Sequence, residues 1–596
     1  MFPKQSRSRE VISLDGLWNF SPDYDLCAGR DGWNSVLPYA EVMAVPASYN
    51  DIGVSARLRD HVGDVWYQRS FFVPAGWRGK RIFLYFGSVS YQATVYLNGE
   101  KLLSNSGGFL PFEVDISGQA LIAEENALVV QVNNELHWDT LPPGEVVEQI
   151  SLSGAVTRLQ KQQHDFFNYA GIHRSVLLCA TANTFIAYIA VETDFDNTTG
   201  IIDYRAELNN ADTCEFEAQL LDRNGKLCAT STGITGQLIV PEVLLWSPNS
   251  PYLYKLRCSL TTAGELLDEY ELNVGVRTVK ISDGKLCING QPVYLQGCGK
   301  HEDADIRGKG FDYPTYLRDM ELLKWLGVNS YRTSHYPYAE EMMELADRYG
   351  ILIIDEVPAV GMLGKAVTSS DGLSAVFVEG KLDEAAWQNH AATLRKLILR
   401  DRNHPSVIMW SISNEASTME LAAEPYFRRL CDLVRSLDGR PLINVDFAMI
   451  APGTSMAAKY VDIIGLNLYF GWYSQCGDIA GGAAQLEEFL RAWYAAENKP
   501  IIITEYGADT IEGFHKLPAT MFTEEFQRDF FAQYHAIFDK LPFVIGEHVW
   551  NFADFMTNQG IIRIDGNRKG IFTRQRQPKM AAHYLRERWQ SRRAKL

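Results

Sequence analysis

Up to about residue 180 the apolar positions come in short alternating runs. "RIFLYFGSVS", "YQATVYLNGE" and "ALVVQVNNEL" read as strands, the second folding back at Asn98-Gly99. Helical periodicity is scarce, so residues 1–180 are expected to form a jelly-roll β-sandwich. The strand pattern continues through residues 181–278, where "FEAQLLDRNGKLCAT" marks a hairpin around Asn224-Gly225. A stretch of that length built from strands suits an immunoglobulin-like β-sandwich.

From about residue 279 the rhythm changes. Apolar runs now alternate with amphipathic segments such as "TYLRDMELLKWLG", whose apolar residues recur at helical spacing. Eight candidate strands follow: 293–298, 329–334, 351–356, 407–415, 442–447, 463–469, 501–507 and 543–552. Eight such βα units over residues 279–596 predict a (β/α)8 TIM barrel. A doubly wound sheet fits less well, because no Gly-rich phosphate turn follows any of the strands.

A chain of 596 residues divides readily into three domains, and 46% hydrophobic content supplies a core for each. The formal net charge of −17 argues against nucleic acid as the main partner. Nine cysteines without CxxC spacing give neither a disulfide framework nor a zinc site. Neither a signal-like N-terminus nor a run of eighteen apolar residues is present, so a cytoplasmic protein is expected, with a secreted or lysosome-like location as the alternative. The sequon Asn197-Thr198-Thr199 is too short a pattern to decide between them.

In a barrel of this kind chemistry sits where the strands end. Here the strands run into Arg332 and His335, Asp355 and Glu356, Asn414 and Glu415, Asn467 and Tyr469, Glu505 and Tyr506, and Glu547, Trp550 and Asn551. These are carboxylates, amides and aromatics, without a Cys/His cluster or a Ser-His-Asp set. Glu415 closes the apolar run "VIMWSIS" and Glu505 closes "PIIIT". A single carboxylate in such a place is as readily a salt-bridge partner as a catalyst. Two of them, 90 residues apart, fall on strands four and seven, roughly across the barrel mouth. Two facing carboxyls about 5–5.5 Å apart are what retaining glycoside hydrolysis requires. The acid must start protonated and the nucleophile ionised, and Tyr469 or Asn414 are candidate donors to Glu505.

"WSISNE", "TEYG" and "NSYRTSHYP" resemble the motifs of glycoside hydrolase family 2, as does the domain order. The resemblance implies that Glu415 is the acid/base and Glu505 the nucleophile. One further segment needs explaining: "GNRKGIFTRQRQPK", residues 566–579, carries Arg568, Lys569, Arg574, Arg576 and Lys579 with no acid among them. Asn567 and Lys569 stand two apart just after strand eight, where both could reach a sugar carboxylate, and a neutral hexose would leave Lys569 unpaired. Arg574, Arg576 and Lys579 read as a solvated or interface rim. Together with "WNFADF", "HDFFNYAGIHRSV" and "GKHEDADIRGKGFD", this segment resembles the β-glucuronidases of the family.

That resemblance implies a retaining exo-acting hydrolase of β-D-glucuronides. Asn567 and Lys569 would bind the glucuronate carboxylate, with Arg563 assisting. Asp165 and His335 would hold hydroxyls, Trp550 would pack along the ring, and Tyr469 and Tyr473 would line the pocket. Neither metal nor organic cofactor is expected, the partner is a small glucuronide, and by analogy the protein is a homo-oligomer, often a tetramer. β-Galacturonidase, β-galactosidase and a non-catalytic carbohydrate-binding protein stand as alternatives. The insertion at residues 361–387 is either a lid selecting the aglycone through Met362 and Leu363, or a surface loop packed on the protein or on another subunit.

Overall fold

The computed structural model describes residues 1–593 apart from 26–27, 29–31, 39–40, 151–155, 210–213 and 365–372. The N-terminal strands form a jelly roll with a six-stranded sheet and a four-stranded sheet. In Gln92–Leu97 every second residue (Ala93, Val95, Leu97) is buried, so the alternating pattern sets one face against the core. That strand pairs with Glu100–Ser106 across the expected turn, where Asn98 and Gly99 both take positive φ. The next domain stacks a three-stranded sheet on a four-stranded one around Ile202, Tyr204, Leu256 and Leu260. Its hairpin Glu215–Leu221/Leu227–Thr232 turns at Gly225, as the sequence predicts.

Eight parallel strands then close a barrel: β1 (Leu295–Gly299), β2 (Ser330–Arg332), β3 (Leu352–Glu356), β4 (Val407–Asn414), β5 (Leu442–Phe447), β6 (Ile463–Asn467), β7 (Ile501–Glu505) and β8 (Val544–Val549). Seven fall inside their expected segments, and the first runs one residue past its own, to Gly299. The helix Tyr313–Leu326 begins at the cap Asp312, which accepts from Thr315, and ends at Gly327, whose φ of +82° turns the chain back. Leu286 and Ile288, from a small sheet preceding the barrel, cluster with Leu295, Leu352, Met409 and Ile502 and fill one end of it. Only the end carrying the C-terminal residues of the strands is left for chemistry.

The jelly roll is fastened to that end. Arg174 donates to Glu302 (3.0 Å) and to the carbonyls of Phe109 (2.8 Å) and Pro337 (2.7 Å), all buried. Glu302 also accepts from Tyr316 and from the Ala339 amide. Arg174→Ala would leave Glu302 buried without its cation, at a cost of about 3–5 kcal/mol. The expected outcome is a clearly lower thermal midpoint by calorimetry. An unchanged midpoint would mean that the bridge contributes nothing.

Candidate active site

The strand ends open on a cavity of about 410 Å³. Of the twelve site residues expected from sequence, eleven line it, and Lys569 is fully buried behind them. A second cavity of about 350 Å³ lies where the three domains meet, with none of those residues in its wall.

β4 delivers Asn414 and Glu415. Glu415 turns out of the strand at φ +51°, a left-handed conformation costing a side-chain-bearing residue about 1–2 kcal/mol, and its amide is held by the Val445 carbonyl. β6 delivers Asn467, whose amide donates to Glu415 (2.9 Å) while Thr504 donates to its carbonyl (2.8 Å), fixing which way the amide points. β7 delivers Glu505. The Gly507 that follows is dictated by close approach, since a Cβ there would lie 2.1 Å from the Trp550 carbonyl oxygen. Without it the ends of β7 and β8 could not lie together as they do. Asp165 comes from the jelly roll: Phe166 packs against His301 and Tyr336, and the Phe167 amide donates to the Met556 carbonyl.

Arg332, at the end of β2, was visible in the sequence as a strand-end residue without a role. It is fully buried, and it donates to Glu505 through one arm and to Glu356 (2.7 Å) through the other. Burial opposes charge on Glu356, yet Arg332, His335 and Ser411 hold its carboxyl down at about 2. His335 shifts below its ordinary range, mainly through burial, and lies 2.8 Å from that ionised carboxylate. Glu356 can only accept, so the proton of neutral His335 sits on Nδ1 and Nε2 is left as an acceptor for a sugar hydroxyl. The Trp550 indole stacks on His335 at 5.0 Å with part of it on the cavity wall.

Burial pushes the Glu505 carboxyl up to about 8, and the charge of Glu415 adds to the rise. It also raises Glu415, with the Asn467 amide opposing. Two such carboxyls hold one proton between them near neutral pH. Arg332 and Tyr469 already pull against that rise on Glu505 without cancelling it, yet the donor sets of the two carboxyls differ in kind. Glu505 accepts from a guanidinium and from the Tyr469 hydroxyl (2.6 Å), whereas Glu415 accepts from a neutral amide. Charge-assisted bonds are about twice as strong as neutral ones, so the donors favour the charge on Glu505 and the proton on Glu415. Tyr469 remains a donor because burial and Glu505 raise its hydroxyl well above the ordinary range. Asn414, the other expected donor to Glu505, instead uses its carbonyl, accepting from Arg332 and Asn467.

The basic segment corrects the sequence reading. Lys569 does not stand as an open cation: it is bonded to the buried Asp509, and it donates to Tyr473 Oη at 2.8 Å. A neutral sugar would therefore not leave it unpaired. Arg574 pairs with Asp51 and Asp303, Arg576 with Asp319 and Lys579 with Asp554, so these three form a seam of internal ion pairs and not a solvated rim, while Arg568 meets the exposed Asp565. The donors that line the cavity are Arg563 and Asn567. Arg563 is bonded to both oxygens of Asp165, and Asn567 donates to Asp165 at 2.9 Å. Asp165, expected on sugar hydroxyls, here occupies the donors suited to a ligand carboxylate. Charge counting along the chain could locate these cations but not the anions they meet.

Of the insertion, 365–372 lies outside the described residues. Met362 is fully buried in the barrel core, Leu363 lines the cavity, and Phe377 packs on Tyr426 and Phe427. The aglycone reading therefore survives for Leu363 only. Among the described residues no group of three or more His, Cys, Asp or Glu is placed to hold a metal ion.

Three family models match the chain: "Glycosyl hydrolases family 2, sugar binding domain" over residues 11–182, "Glycosyl hydrolases family 2" over 184–277, and "Glycosyl hydrolases family 2, TIM barrel domain" over 279–593. A β-glucuronidase of Paenibacillus borealis is 47% identical, covering 99% of this chain and 98% of its own. The solved β-D-glucuronidase of Dictyoglomus thermophilum superposes with a TM-score of 0.93 at 43% identity, covering 99% and 98% of the two chains. The β-glucuronidase of Ruminococcus gnavus in complex with D-glucuronic acid gives 0.93 at 39% identity, covering 99% of each.

The assignment of the proton can be tested through Arg332. The guanidinium favours the charged form of Glu505, so Arg332→Gln should raise the pH at which Glu505 ionises. The acidic limb of kcat/KM is expected to move up by about one unit or more, with activity at its optimum down roughly a hundredfold. An unmoved limb would show that Arg332 does not set the charge of Glu505.

Proposed function

The chain belongs to glycosyl hydrolases family 2 and is a glycoside hydrolase, and from that premise we propose that it is an exo-acting β-glucuronidase working with retention of configuration. One observation carries this reading. A single cavity holds the one-proton pair Glu415/Glu505 together with a set of carboxylate donors, Arg563 and Asn567, beside Tyr473 with Lys569 behind it. The relatives named above are β-glucuronidases, and one has D-glucuronic acid bound, which supports the same substrate class.

In the proposed reaction the sugar carboxylate takes the Arg563 and Asn567 donors, and Asp165, about half exposed on its loop, gives them up. Glu505 attacks the anomeric carbon as the glycosidic C–O bond breaks, and Glu415 gives its proton to the departing oxygen. The product of this step is a glycosyl ester of Glu505 and a free alcohol. Glu415, now a carboxylate, removes a proton from water, whose oxygen attacks the same carbon and releases Glu505. Two inversions give net retention.

The test compares kcat/KM for matched nitrophenyl β-glucuronide, β-galacturonide, β-galactoside and β-glucoside. The glucuronide is expected to lead. A preference for a neutral sugar would keep the carboxyl pair and overturn the carboxylate reading, and a preference for the galacturonide would move the assignment to the C4 epimer. Glu505→Ala is expected to abolish turnover, and proton NMR of the wild-type reaction should detect the β-anomer of glucuronate first. Initial release of the α-anomer would rule out the double displacement. Lys569→Ala should lose at least about tenfold on glucuronides preferentially, because Tyr473 and Asp509 lose the cation held between them. Equal loss on neutral glycosides would make Lys569 purely structural.

A further inference from the structure

Asp509 lies four residues beyond Glu505, in "TEYGADT", and it does not line the cavity. It is buried, yet three groups of the anion-facing wall converge on it. Lys569 Nζ is bonded to one carboxylate oxygen, the Arg568 amide donates to the other at 3.0 Å, and Arg563 Nη1 stands 3.6 Å away. Arg568 is the residue between Asn567 and Lys569, so this one carboxylate holds the loop that carries both.

The environment of Lys569 makes that carboxylate necessary. The ammonium is enclosed by the rings of Tyr469, Trp472 and Tyr473, at 5.6, 5.3 and 4.6 Å from their centroids. Ring faces attract a cation but do not accept its hydrogen bonds as a carboxylate does. Among the described residues Asp509 is the only acid in ion-pair distance of Lys569. Held there, Lys569 donates to Tyr473 Oη at 2.8 Å, and Arg563 donates to the same oxygen at 3.0 Å. With both lone pairs of the phenol engaged, its own proton is left to be donated elsewhere, and Tyr473 lines the cavity.

We infer that Asp509 is a specificity-determining positioning residue: a fixed counter-ion that orients Lys569, Arg563 and, through them, the Tyr473 hydroxyl toward the carboxylate of an acidic sugar, without touching the sugar itself. Its contrast with Asp165 is physical. Asp165 is half exposed and replaceable by a ligand carboxylate, whereas Asp509 is buried and bonded to Lys569 and to the Arg568 amide behind the cavity wall. The inference rests on the glucuronide reading above. It adds that selectivity for the anion depends on an acid behind the wall as well as on the cations in it.

The experiment measures kcat and KM of wild type, Asp509→Asn and Asp509→Glu on nitrophenyl β-glucuronide and β-glucoside, with a thermal melt of each. Asp509→Asn is expected to lose at least about tenfold in kcat/KM on the glucuronide, mainly through KM, and to stay within about threefold on the glucoside. Asp509→Glu, which keeps the charge one methylene away, is expected to fall between the two. Proportionate loss on both substrates, or no loss on either, would overturn the proposal. If the Asn variant melts below the assay temperature, the Glu variant decides alone: selective loss on the glucuronide supports the role, and equal loss on both substrates overturns it. A wild type without preference for the glucuronide would instead fault the underlying functional reading, so the two failures are distinguishable.

Discussion

The mouth of the barrel is organised around one buried guanidinium. Arg332 lies between Glu356 and Glu505, in contact with both, and a fully buried charge persists only where such partners compensate its desolvation. Its charge is balanced first by Glu356, which stays ionised across the working range. One cation then serves two carboxylates, and a third carboxyl, Glu415, opens on the same space. Ionising all three would leave two uncompensated negative charges in a poorly solvated site. The economical state therefore keeps a proton on Glu415, the carboxyl with the weakest donors. In the proposed mechanism the split between acid and nucleophile follows from how one arginine is shared.

The loop after β8 is secured on the same principle. Its cations reach Asp509 on the β7 side, Asp554 near the end of β8, Asp303 and Asp319 on the β1 side, and Asp51 in the jelly roll. These anchors come from elements far apart in the chain, so the loop is placed by directional bonds from several sides. Directional anchoring suits a site that must hold Arg563 and Asn567 to fractions of an ångström. It also explains how an acidic protein can carry a purely basic stretch without offering it to a large anionic partner.

Much of this was legible in the chain because some signals are local. Strands of period two, and apolar runs that end abruptly in Asn-Glu or Glu-Tyr-Gly, mark both the barrel and the positions of Glu415 and Glu505 without knowledge of any neighbour. Pairing is not local. Lys569 and Asp509 are 60 positions apart, Arg574 and Asp51 more than five hundred, and no periodicity links them. Hence the sequence points to Asn567 and Lys569 near the mouth but not to the anions that pair with the basic residues. Arg332 and Asp509 were passed over for the same reason: what makes each of them matter is the set of groups that folding brings to it. Asp165 is the mixed case, since its motif placed it at the site and only the structure gave its partners.

Charge bookkeeping also connects the two halves of the cavity. In the proposed reaction an acidic sugar brings a negative charge toward a carboxyl pair whose proton must stay on Glu415 and leave on demand. Were the charge simply added, it would raise the proton affinity of both carboxyls and hinder the ionisation of Glu505. In the proposed complex the ligand carboxylate replaces that of Asp165 on Arg563 and Asn567, so a negative charge is exchanged at the wall, not added to it. Esterification of Glu505 in the proposed mechanism makes the large change, because it removes the charge that repels a negative Glu415. At that moment Arg332 retains Glu356 as its carboxylate partner, and Glu415 can carry charge at lower cost and take the proton of the incoming water. On this proposed mechanism the same residue serves as acid and then as base because its neighbour's charge disappears between the two steps.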